Sequence, residues 1–306
     1  MTTLQWRDWS CSVRVVLADG RSRASAPDEE RLVRGLMNDV ARSVDRFTPT
    51  SDLSRVNAAA GRLIPVRPLT LELVELALAT ARDTGGACDP TVGRHLLAAG
   101  YDADIDVLRT RPISHRTPAT VSRRADWRTV RVDRSLRRLG LPAGLALDLG
   151  ATAKAWTADE AAARLQHATG MAALVALGGD IAARGQVDWR VLVSEDDGGP
   201  GQIVIVREGG LATSSTQARR WRGPYGERHH VIDPGTGAPT TGQVRTASVL
   251  APSCVAANAL STAALVWGAT APDRLRAHAA RLVDAHGSVT TTATWPVDRS
   301  DEGTAA

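Results

Sequence analysis

Lysine is almost absent from this chain of 306 residues. Its 37 basic residues comprise 36 arginines and a single lysine, Lys154. The two side chains are not interchangeable, because an ammonium group is a compact point charge and a guanidinium is a wide planar fork. A site too narrow for the fork would retain lysine, so Lys154 is a candidate functional residue. The alternative is that a rare residue survives at one position by chance.

Cysteine and long apolar runs are also scarce. The three cysteines, at positions 11, 88 and 254, are odd in number and form no Cys-x-x-Cys pair, which disfavours a zinc site or a disulfide framework. No apolar run approaches the ~18 residues of a membrane helix, so no membrane span is predicted. The N-terminus lacks the apolar core of a secretory signal, and we therefore expect a cytoplasmic protein.

Aromatic residues make up only 4% of the chain. An arginine-rich stretch at residues 109–138 is interrupted by Asp126 and Asp133. Without an aromatic-rich patch or a nucleic-acid-binding motif, this stretch is typical of solvated surface, and no nucleic-acid partner is expected. The composition, 43% apolar and 23% charged, is ordinary for a globular protein.

Predicted strands and helices are interleaved without a strict alternation, which favours an α+β fold. Leu32, Leu36 and Val40 illustrate the apolar i+4 spacing of an amphipathic helix. Helices are predicted at residues 28–47, 69–84, 253–267 and 272–286. We expect a single compact domain over residues 8–296, with mixed sheets flanked by helices, and a disordered tail at residues 297–306.

The segment around Lys154 predicts a strand, a tight turn and a helix. The apolar run 145–149 contains Asp148 and ends at Gly150, and an alanine-rich, helix-favouring segment then runs to Gly170. The start of a helix offers free N–H groups and a positive dipole end, which favour an anion. Because Lys154 adds a second positive charge there, a phosphate-bearing ligand is indicated. The segment lacks the Gly-Lys-Ser/Thr ending of a Walker A loop.

Two further segments carry candidate chemistry. In HHVIDPGTG, residues 229–237, a histidine precedes a rigid Asp-Pro-Gly turn; it could act as a general base, or be a half-buried histidine hydrogen-bonded to the turn. The predicted helix at 253–267 places Asn258, Ser261 and Thr262 on one face. Their oxygens could bind Mg²⁺, or the side chains could bond back to helix carbonyls.

Taken together, these segments resemble the ApbE family of FAD:protein FMN transferases over roughly residues 13–283. DLGATAKA at residues 148–155 is similar to the family's Asp-Leu-Gly-Gly-Ile-Ala-Lys-Gly. HVIDPGTG at residues 230–237 resembles its His-Ile-Ile-Asp-Pro-x-Thr-Gly. The other matching stretches, in the family's order, are residues 51–57, 85–93, 176–181 and 257–263.

The resemblance implies that FAD is cleaved at its pyrophosphate, that FMN passes through a phosphoester bond to a Thr or Ser hydroxyl of an acceptor protein, and that AMP leaves. It implies that FAD is bound by Ala87, Cys88, Asp89, Asp148, Lys154 and Val231. It implies that Mg²⁺ is held by the carbonyl of Ala151 and the side chains of Asn258, Ser261 and Thr262. It makes His230 the base toward the acceptor hydroxyl.

The chain departs from the family pattern at several positions, among them residues 258, 88 and 215. Asn258 stands where the family usually has Asp, and a neutral ligand should weaken Mg²⁺ binding unless a nearby carboxylate compensates. Cys88 replaces an aromatic residue, and Ser215 replaces the glycine of a Thr-Ser-Gly motif. Two other functions therefore remain open for the same site, an FAD pyrophosphatase that releases FMN and AMP and a non-catalytic FAD-binding protein.

Overall fold

The computed structural model describes residues 1–18, 26–112, 121–195, 199–223 and 226–297. The helices within these ranges are α1 (Ala26–Val44), α2 (Asp52–Ala58), α3 (Pro68–Asp83), α4 (Gly93–Ala98), α5 (Ile105–Thr110), α6 (Ala153–Thr169), α7 (Cys254–Trp267) and α8 (Ala271–Arg274). The predicted tail lies outside the described residues, except for Val297.

The strands of the central sheet are β1 (Thr2–Asp8), β2 (Cys11–Leu17), β6 (Ala173–Leu177), β7 (Asp180–Arg184), β10 (Gly209–Ser215), β15 (Val244–Ala251), β16 (Ala279–Asp284) and β17 (Val289–Thr291). The remaining strands are β3 (Ile64–Pro65), β4 (Arg131–Asp133), β5 (Arg138–Gly140), β8 (Trp189–Ser194), β9 (Gly201–Val206), β11 (Arg220–Gly223), β12 (Gly226–His229), β13 (Ile232–Asp233) and β14 (Ala238–Pro239).

The eight strands of the central sheet follow the order β1-β2-β6-β7-β10-β15-β16-β17, and each pairs antiparallel with its neighbours. On one face, α6 packs against β6 and β7, and α7 packs against β10 and β15. On the other face, the β8–β9 hairpin contributes Trp189 and Val204 to a core shared with Leu174 and Leu211. The predicted α+β class is confirmed. The sequence predicted mixed sheets. In the described ranges, parallel pairing is limited to one isolated bridge between Val92 and Ala146.

Helices α6 and α7 position the residues of interest. Both are rich in buried alanines, which combine high helix propensity with close packing. Helix α6 places Lys154 in its first turn and ends at Gly170, whose φ of 69° is left-handed, as predicted. Asp159 of α6 accepts hydrogen bonds from the N–H groups of Cys254 and Val255, each at 3.0 Å. The carboxylate thereby ties α6 to the N-terminus of α7.

The segment Cys254–Arg274, which contains α7, is the one helical stretch of the described residues whose length and composition would let it cross a membrane; its mean hydropathy is 1.3. Within the protein, however, 56% of its most apolar window is buried. A helix that packs on β10 and β15 in this way is typical of a protein core.

The predicted strand at residues 145–149 is wrong. The run is buried, but its backbone bonds to loops and a side chain in place of a strand ladder. The N–H of Asp148 donates to the carbonyl of Pro90 at 2.8 Å. The side chain of Asn57 accepts from the N–H of Leu147 at 2.7 Å and donates to its carbonyl at 3.0 Å. This pairing fixes the turn that leads into α6.

The predicted helix at 272–286 is also wrong beyond its first turn. Helix α8 ends at Arg274, and Ala279–Asp284 forms β16, which pairs with β15. The residues of β16 alternate in burial over most of their length. Pairing with an exposed edge of the sheet overrides the local helix preference of this segment.

Candidate active site

A cavity of about 540 Å³ lies beside the start of α6 and along one face of α7. Ten of the eleven predicted site residues line it: Ala87, Cys88, Asp89, Asp148, Ala151, Lys154, His230, Val231, Asn258 and Thr262. The eleventh, Ser261, is fully buried and lies outside the cavity wall. The volume is typical of sites that hold small molecules and cofactors. The individual roles of these residues stay predictions.

Lys154 reaches the cavity from the first turn of α6. Its Nζ lies 3.4 Å from Oδ2 of Asp180, and its side chain is 21% exposed. Thr152, the residue that caps this helix, makes no side-chain hydrogen bond to it. The first N–H groups of α6 therefore have no side-chain cap, and the arrangement fits an anion.

Asp180 connects Lys154 to helix α7. Nδ2 of Asn258 donates to Oδ1 of Asp180 at 2.5 Å. Oδ1 of Asn258 in turn accepts from Oγ1 of Thr262 at 3.3 Å. We refer to Lys154, Asp180, Asn258 and Thr262 as the carboxylate cluster. Its contacts fix the orientation of the Asn258 amide, with the nitrogen toward Asp180.

Hydroxyl groups extend this cluster. Oγ of Ser214 lies 2.9 Å from Oγ of Ser261 and 2.9 Å from Oγ1 of Thr262. Ser261 also donates to the backbone carbonyl of Asn258 at 3.1 Å. Ser261 therefore makes the bond back to its own helix that the sequence offered as the alternative to cation binding, and it also contacts the hydroxyl of Ser214.

Asp148 is held from two sides. Its Oδ2 pairs with Nε of Arg46 at 2.5 Å, with the two side chains 16% and 9% exposed. Its Oδ1 accepts from the N–H of Gly150 at 2.9 Å. The carboxylate therefore fixes the turn before α6 and anchors a guanidinium in the cavity wall.

The loop 85–93 is organised by Asp89. Its Oδ1 accepts from the N–H and hydroxyl of Thr91 at 2.7 and 2.6 Å, and its Oδ2 accepts from the N–H of Trp127 at 3.1 Å. Burial raises the pKa of Asp89, and the bonds from Thr91 and Trp127 oppose that rise. Through these hydrogen bonds the carboxylate holds the loop in position beside the cavity.

Cys88 joins the same loop to α7. Its thiol donates to the carbonyl of Ala259 at 3.3 Å, and burial raises its pKa to about 12. The group is therefore a neutral thiol at physiological pH. A neutral buried thiol of this kind is inert and contributes packing.

The two adjacent histidines differ in their surroundings. Nδ1 of His229 accepts from the N–H of Val231 at 3.3 Å, so its Nε2 donates to the carbonyl of Thr240 at 3.1 Å. Nδ1 of His230 has no hydrogen-bond partner among the described residues, and His230 lines the cavity. The pKa of His230 is well below 6.5 because of burial and the nearby charges of Arg219 and Lys154. A neutral imidazole can accept a proton.

A second group of side chains, three of which line the cavity, was not predicted from the sequence. Tyr101 stacks on Trp221 with ring centroids 5.0 Å apart and meets the edge of Phe47 at 5.6 Å. The guanidinium of Arg46 lies 4.0 Å from the ring centroid of Phe47 and 4.7 Å from that of Tyr101. We refer to Arg46, Phe47, Tyr101 and Trp221 as the aromatic cluster. Planar rings and a guanidinium suit a flat, conjugated ligand.

The sequence signals that could have identified these residues differ in strength. The chain has only one phenylalanine and two tyrosines. Their rarity is a signal that could have identified Phe47 and Tyr101 as candidate site residues. Asp180 ends a Gly-Gly-Asp turn, and paired glycines let a backbone approach a ligand closely. Arg46 and Arg219 are two of 36 arginines, and nothing local distinguishes them.

In the described part of the chain, no three His, Cys, Asp or Glu side chains form a group that could hold a metal. A cation here would rely on neutral oxygens and few carboxylates. The oxygen donors of the carboxylate cluster are of the kind that Mg²⁺ accepts.

The model of the ApbE family matches residues 8–285. The chain belongs to the ApbE family. A Treponema pallidum protein named FAD:protein FMN transferase is 31% identical over 287 residues, which cover 84% of this chain and 76% of that protein. A Haemophilus influenzae protein of the same name is 25% identical and matches 82% of this chain and 76% of its own length.

Solved structures of the ApbE family share the fold. The ApbE protein of Thermotoga maritima aligns with a TM-score of 0.84 at 23% identity, over 96% of this chain and 97% of its own. The flavinyl transferase ApbE of Pseudomonas stutzeri aligns with a TM-score of 0.79 at 22% identity, over 95% and 94%. The predicted family, fold class and enzyme class are confirmed by these matches.

Proposed function

We propose that this chain transfers FMN from FAD to a threonine or serine hydroxyl of an acceptor protein and releases AMP. The observation that supports the proposal most is the cavity, which brings a lysine at a helix N-terminus, a neutral histidine and several oxygen donors together. The names of the Treponema pallidum and Haemophilus influenzae relatives support the same reaction.

In this reaction the acceptor oxygen forms a bond to the phosphorus of the FMN half of FAD. The bond from that phosphorus to the bridging oxygen of the pyrophosphate breaks, and AMP leaves with that oxygen. Phosphoryl transfer depends mainly on positioning and charge neutralisation. The site must therefore supply positive charge to the pyrophosphate and an acceptor for the hydroxyl proton.

Lys154 and the first N–H groups of α6 supply the positive charge. Lys154 and the residues at the start of α6 line the same cavity, so the ammonium and the helix dipole would both stabilise the negative charge on the phosphate oxygens. Arg219, which also lines the cavity, adds a further cation.

His230 accepts the proton of the acceptor hydroxyl. Its depressed pKa keeps the imidazole neutral at physiological pH, and Nδ1 has no other partner among the described residues. His229 cannot take this role, because its Nδ1 accepts from Val231 and its Nε2 donates to Thr240.

A Mg²⁺ ion fits this donor set. Ala151, Asn258 and Thr262 line the cavity and would supply a carbonyl, an amide and a hydroxyl oxygen, while the Ser261 hydroxyl would have to turn from its present partners to join them. The buried Oδ2 of Asp180 has no hydrogen-bond donor among the described residues and lies 3.4 Å from the Lys154 ammonium, so it offers negative charge to a cation as well. When bound, the ion would neutralise charge on the pyrophosphate.

The test is an incubation of the purified chain with FAD and Mg²⁺, with and without an acceptor domain that carries one flavinylatable threonine. AMP release that requires the acceptor, with flavin attached to it, supports the transferase. AMP release that is independent of the acceptor would instead mean an FAD pyrophosphatase. FAD binding without AMP under any divalent cation would mean a non-catalytic binding protein.

The matched controls are His230→Asn, Lys154→Gln and His229→Asn. The first two should lose the reaction, and His229→Asn should retain it if the variant folds, as judged by its Tm.

A further inference from the structure

The contacts around Asp180 differ from those of an ordinary buried ion pair. The residue is 2% exposed. Its Oδ1 is bonded by the amide of Asn258 at 2.5 Å, yet its Oδ2 is buried without a hydrogen-bond donor among the described residues. Lys154 approaches Oδ2 only to 3.4 Å. A buried carboxylate oxygen without a close donor is costly.

The charges of the cavity add a second observation. The oxygens expected to hold the divalent cation, from Ala151, Asn258, Ser261 and Thr262, are all neutral at physiological pH. Hard divalent cations are usually bound by at least one carboxylate. Among the described residues, the carboxylate hydrogen-bonded to this donor set is Asp180.

The backbone holds Asp180 in this position. Asp180 begins β7 directly after the turn formed by Gly178, whose φ is 64°, and Gly179. A Cβ atom on Gly179 would lie 2.6 Å from the carbonyl oxygen of Thr213, so only glycine allows β7 to approach β10 so closely. The carboxylate thereby projects from the central sheet toward α7.

We propose that Asp180 supplies the negative charge that binds the divalent cation in this chain, and that Asn258 orients it. The inference rests on the proposed function, because that reaction is what requires the cation. Asn258 donates through Nδ2 to Asp180 and leaves Oδ1 on the side of Thr262. A carboxylate at position 258 would repel Asp180 at this distance, whereas the amide holds it.

The arrangement explains how residue 258 can be neutral. The charge that position 258 lacks is carried by a residue 78 positions earlier, whose second carboxylate oxygen lies 3.4 Å from the Lys154 ammonium. Because Lys154 also contacts Asp180, a cation held by this carboxylate would be coupled to the charge that binds the phosphate.

The experiment measures Mn²⁺ affinity of the purified full chain without FAD, by the loss of the free-ion EPR signal. Asp180→Asn should weaken Mn²⁺ binding by about 10–100-fold, the loss expected when a group that supports a metal site is removed. Asp104→Asn, which neutralises another carboxylate of the cavity wall, should leave the affinity unchanged.

The exchange variant Asp180→Asn/Asn258→Asp is the sharper test. It retains one carboxylate and one amide in the same contact, so it should recover most of the Mn²⁺ affinity lost in Asp180→Asn. Tm values for each variant establish that it folds.

The inference is overturned if Asp180→Asn binds Mn²⁺ as well as the wild-type chain, if Asp104→Asn is weakened equally, if the exchange variant stays as weak as Asp180→Asn, or if the wild-type chain binds no Mn²⁺. These outcomes are independent of FMN transfer. Wild-type protein that labels an acceptor while Asp180→Asn keeps its Mn²⁺ affinity would contradict only the role of Asp180.

Discussion

The carboxylate cluster and, except for Trp221, the aromatic cluster line the same cavity but are held in different ways. The carboxylate cluster stands on regular elements, with Lys154 on α6, Asp180 on β7 and the other two residues on α7. The aromatic cluster comes largely from loops and is held by ring stacking and by the guanidinium of Arg46. Asp148 joins them, because it fixes the turn before α6 and pairs with Arg46.

The difference suggests a division of labour. Groups that must meet a reacting phosphate need positions fixed to fractions of an ångström, which regular elements provide. Groups that bind a flat ring need only provide a stacking surface and a nearby charge, and stacking tolerates larger changes in position. We therefore expect changes in the carboxylate cluster to affect rate and cation binding, and changes in the aromatic cluster to affect FAD affinity.

The largest effect is expected at His230, which is within reach of both clusters. Its ring centroid lies 6.5 Å from that of Tyr101, and the charge of Lys154 helps to lower its pKa. His230→Ala should slow acceptor labelling by about 10²–10⁴-fold at saturating FAD, because the base is removed. Labelling is followed by flavin fluorescence of the acceptor. A loss below tenfold would remove His230 from the reaction.

The pH dependence provides a finer test of the same residue. Because the folded-state pKa of His230 lies well below 6.5, the imidazole stays neutral as the pH falls through 6.5. The labelling rate should therefore hold to that pH and decline only in more acidic solution, when the base becomes protonated. A pH–rate profile that already falls between pH 7.5 and about 6.5 would contradict the depressed pKa.

Lys154 gives the next largest effect and tests why this one lysine is present. Lys154→Gln should slow labelling by about 10²–10³-fold, a typical cost of losing one charge-stabilising donor. Lys154→Arg retains the charge but places a planar fork beside Asp180, so it should be nearly as slow. If Lys154→Arg matched the wild-type rate, the width of the side chain would not explain the absence of arginine here.

Arg46 tests the role of the aromatic cluster in FAD binding. Arg46→Met removes the pair with Asp148 and the contacts with two rings, and should weaken FAD binding about tenfold, or 1.4 kcal/mol, with little change in rate at saturating FAD. Affinity is measured by titration of flavin fluorescence. Arg207→Met, which removes a pair at the exposed Asp188, is the matched control. A large fall in the saturated rate would break the division between the clusters.

Tyr101 gives the smallest expected effect. Tyr101→Phe keeps the ring that stacks on Trp221 and should leave FAD affinity near the wild-type value. Tyr101→Leu loses the ring and should weaken affinity a few-fold, in line with about 0.5–1.5 kcal/mol for an aromatic pair. Equal affinity in the two variants would show that the ring does not contribute.

The two clusters also differ in how far the sequence could predict them. Asn258 and Thr262 follow from helical spacing, and Lys154 follows from its isolation at a predicted helix start. The contact of Asp180 with Asn258 spans 78 positions, and no local pattern encodes such a pairing. Arg46 and Tyr101 lie on loops and Trp221 lies on β11. They meet because these distant segments converge, which spacing along the chain cannot reveal.

Prediction of the fold from the sequence is limited in the same way, because contacts between distant segments are not visible in local patterns. Helices α1 and α3 were predicted within a few residues, because an apolar stripe is a local property. The run 145–149 was predicted as a strand because it is apolar and short, but a strand also requires a partner. Here Asn57 and Pro90 take up the backbone groups. The partner of β16 is likewise distant in sequence, so a helix was predicted there.

The measurement that tests the central claim most directly is the mass of an acceptor domain after incubation with the purified chain and FAD. We predict that the acceptor gains the mass of one FMN, less water, at a threonine or serine when Mg²⁺ is present, with an equal amount of AMP in solution. The gain should disappear with EDTA and with His230→Ala. An acceptor of unchanged mass in the presence of bound FAD and Mg²⁺ would contradict the account.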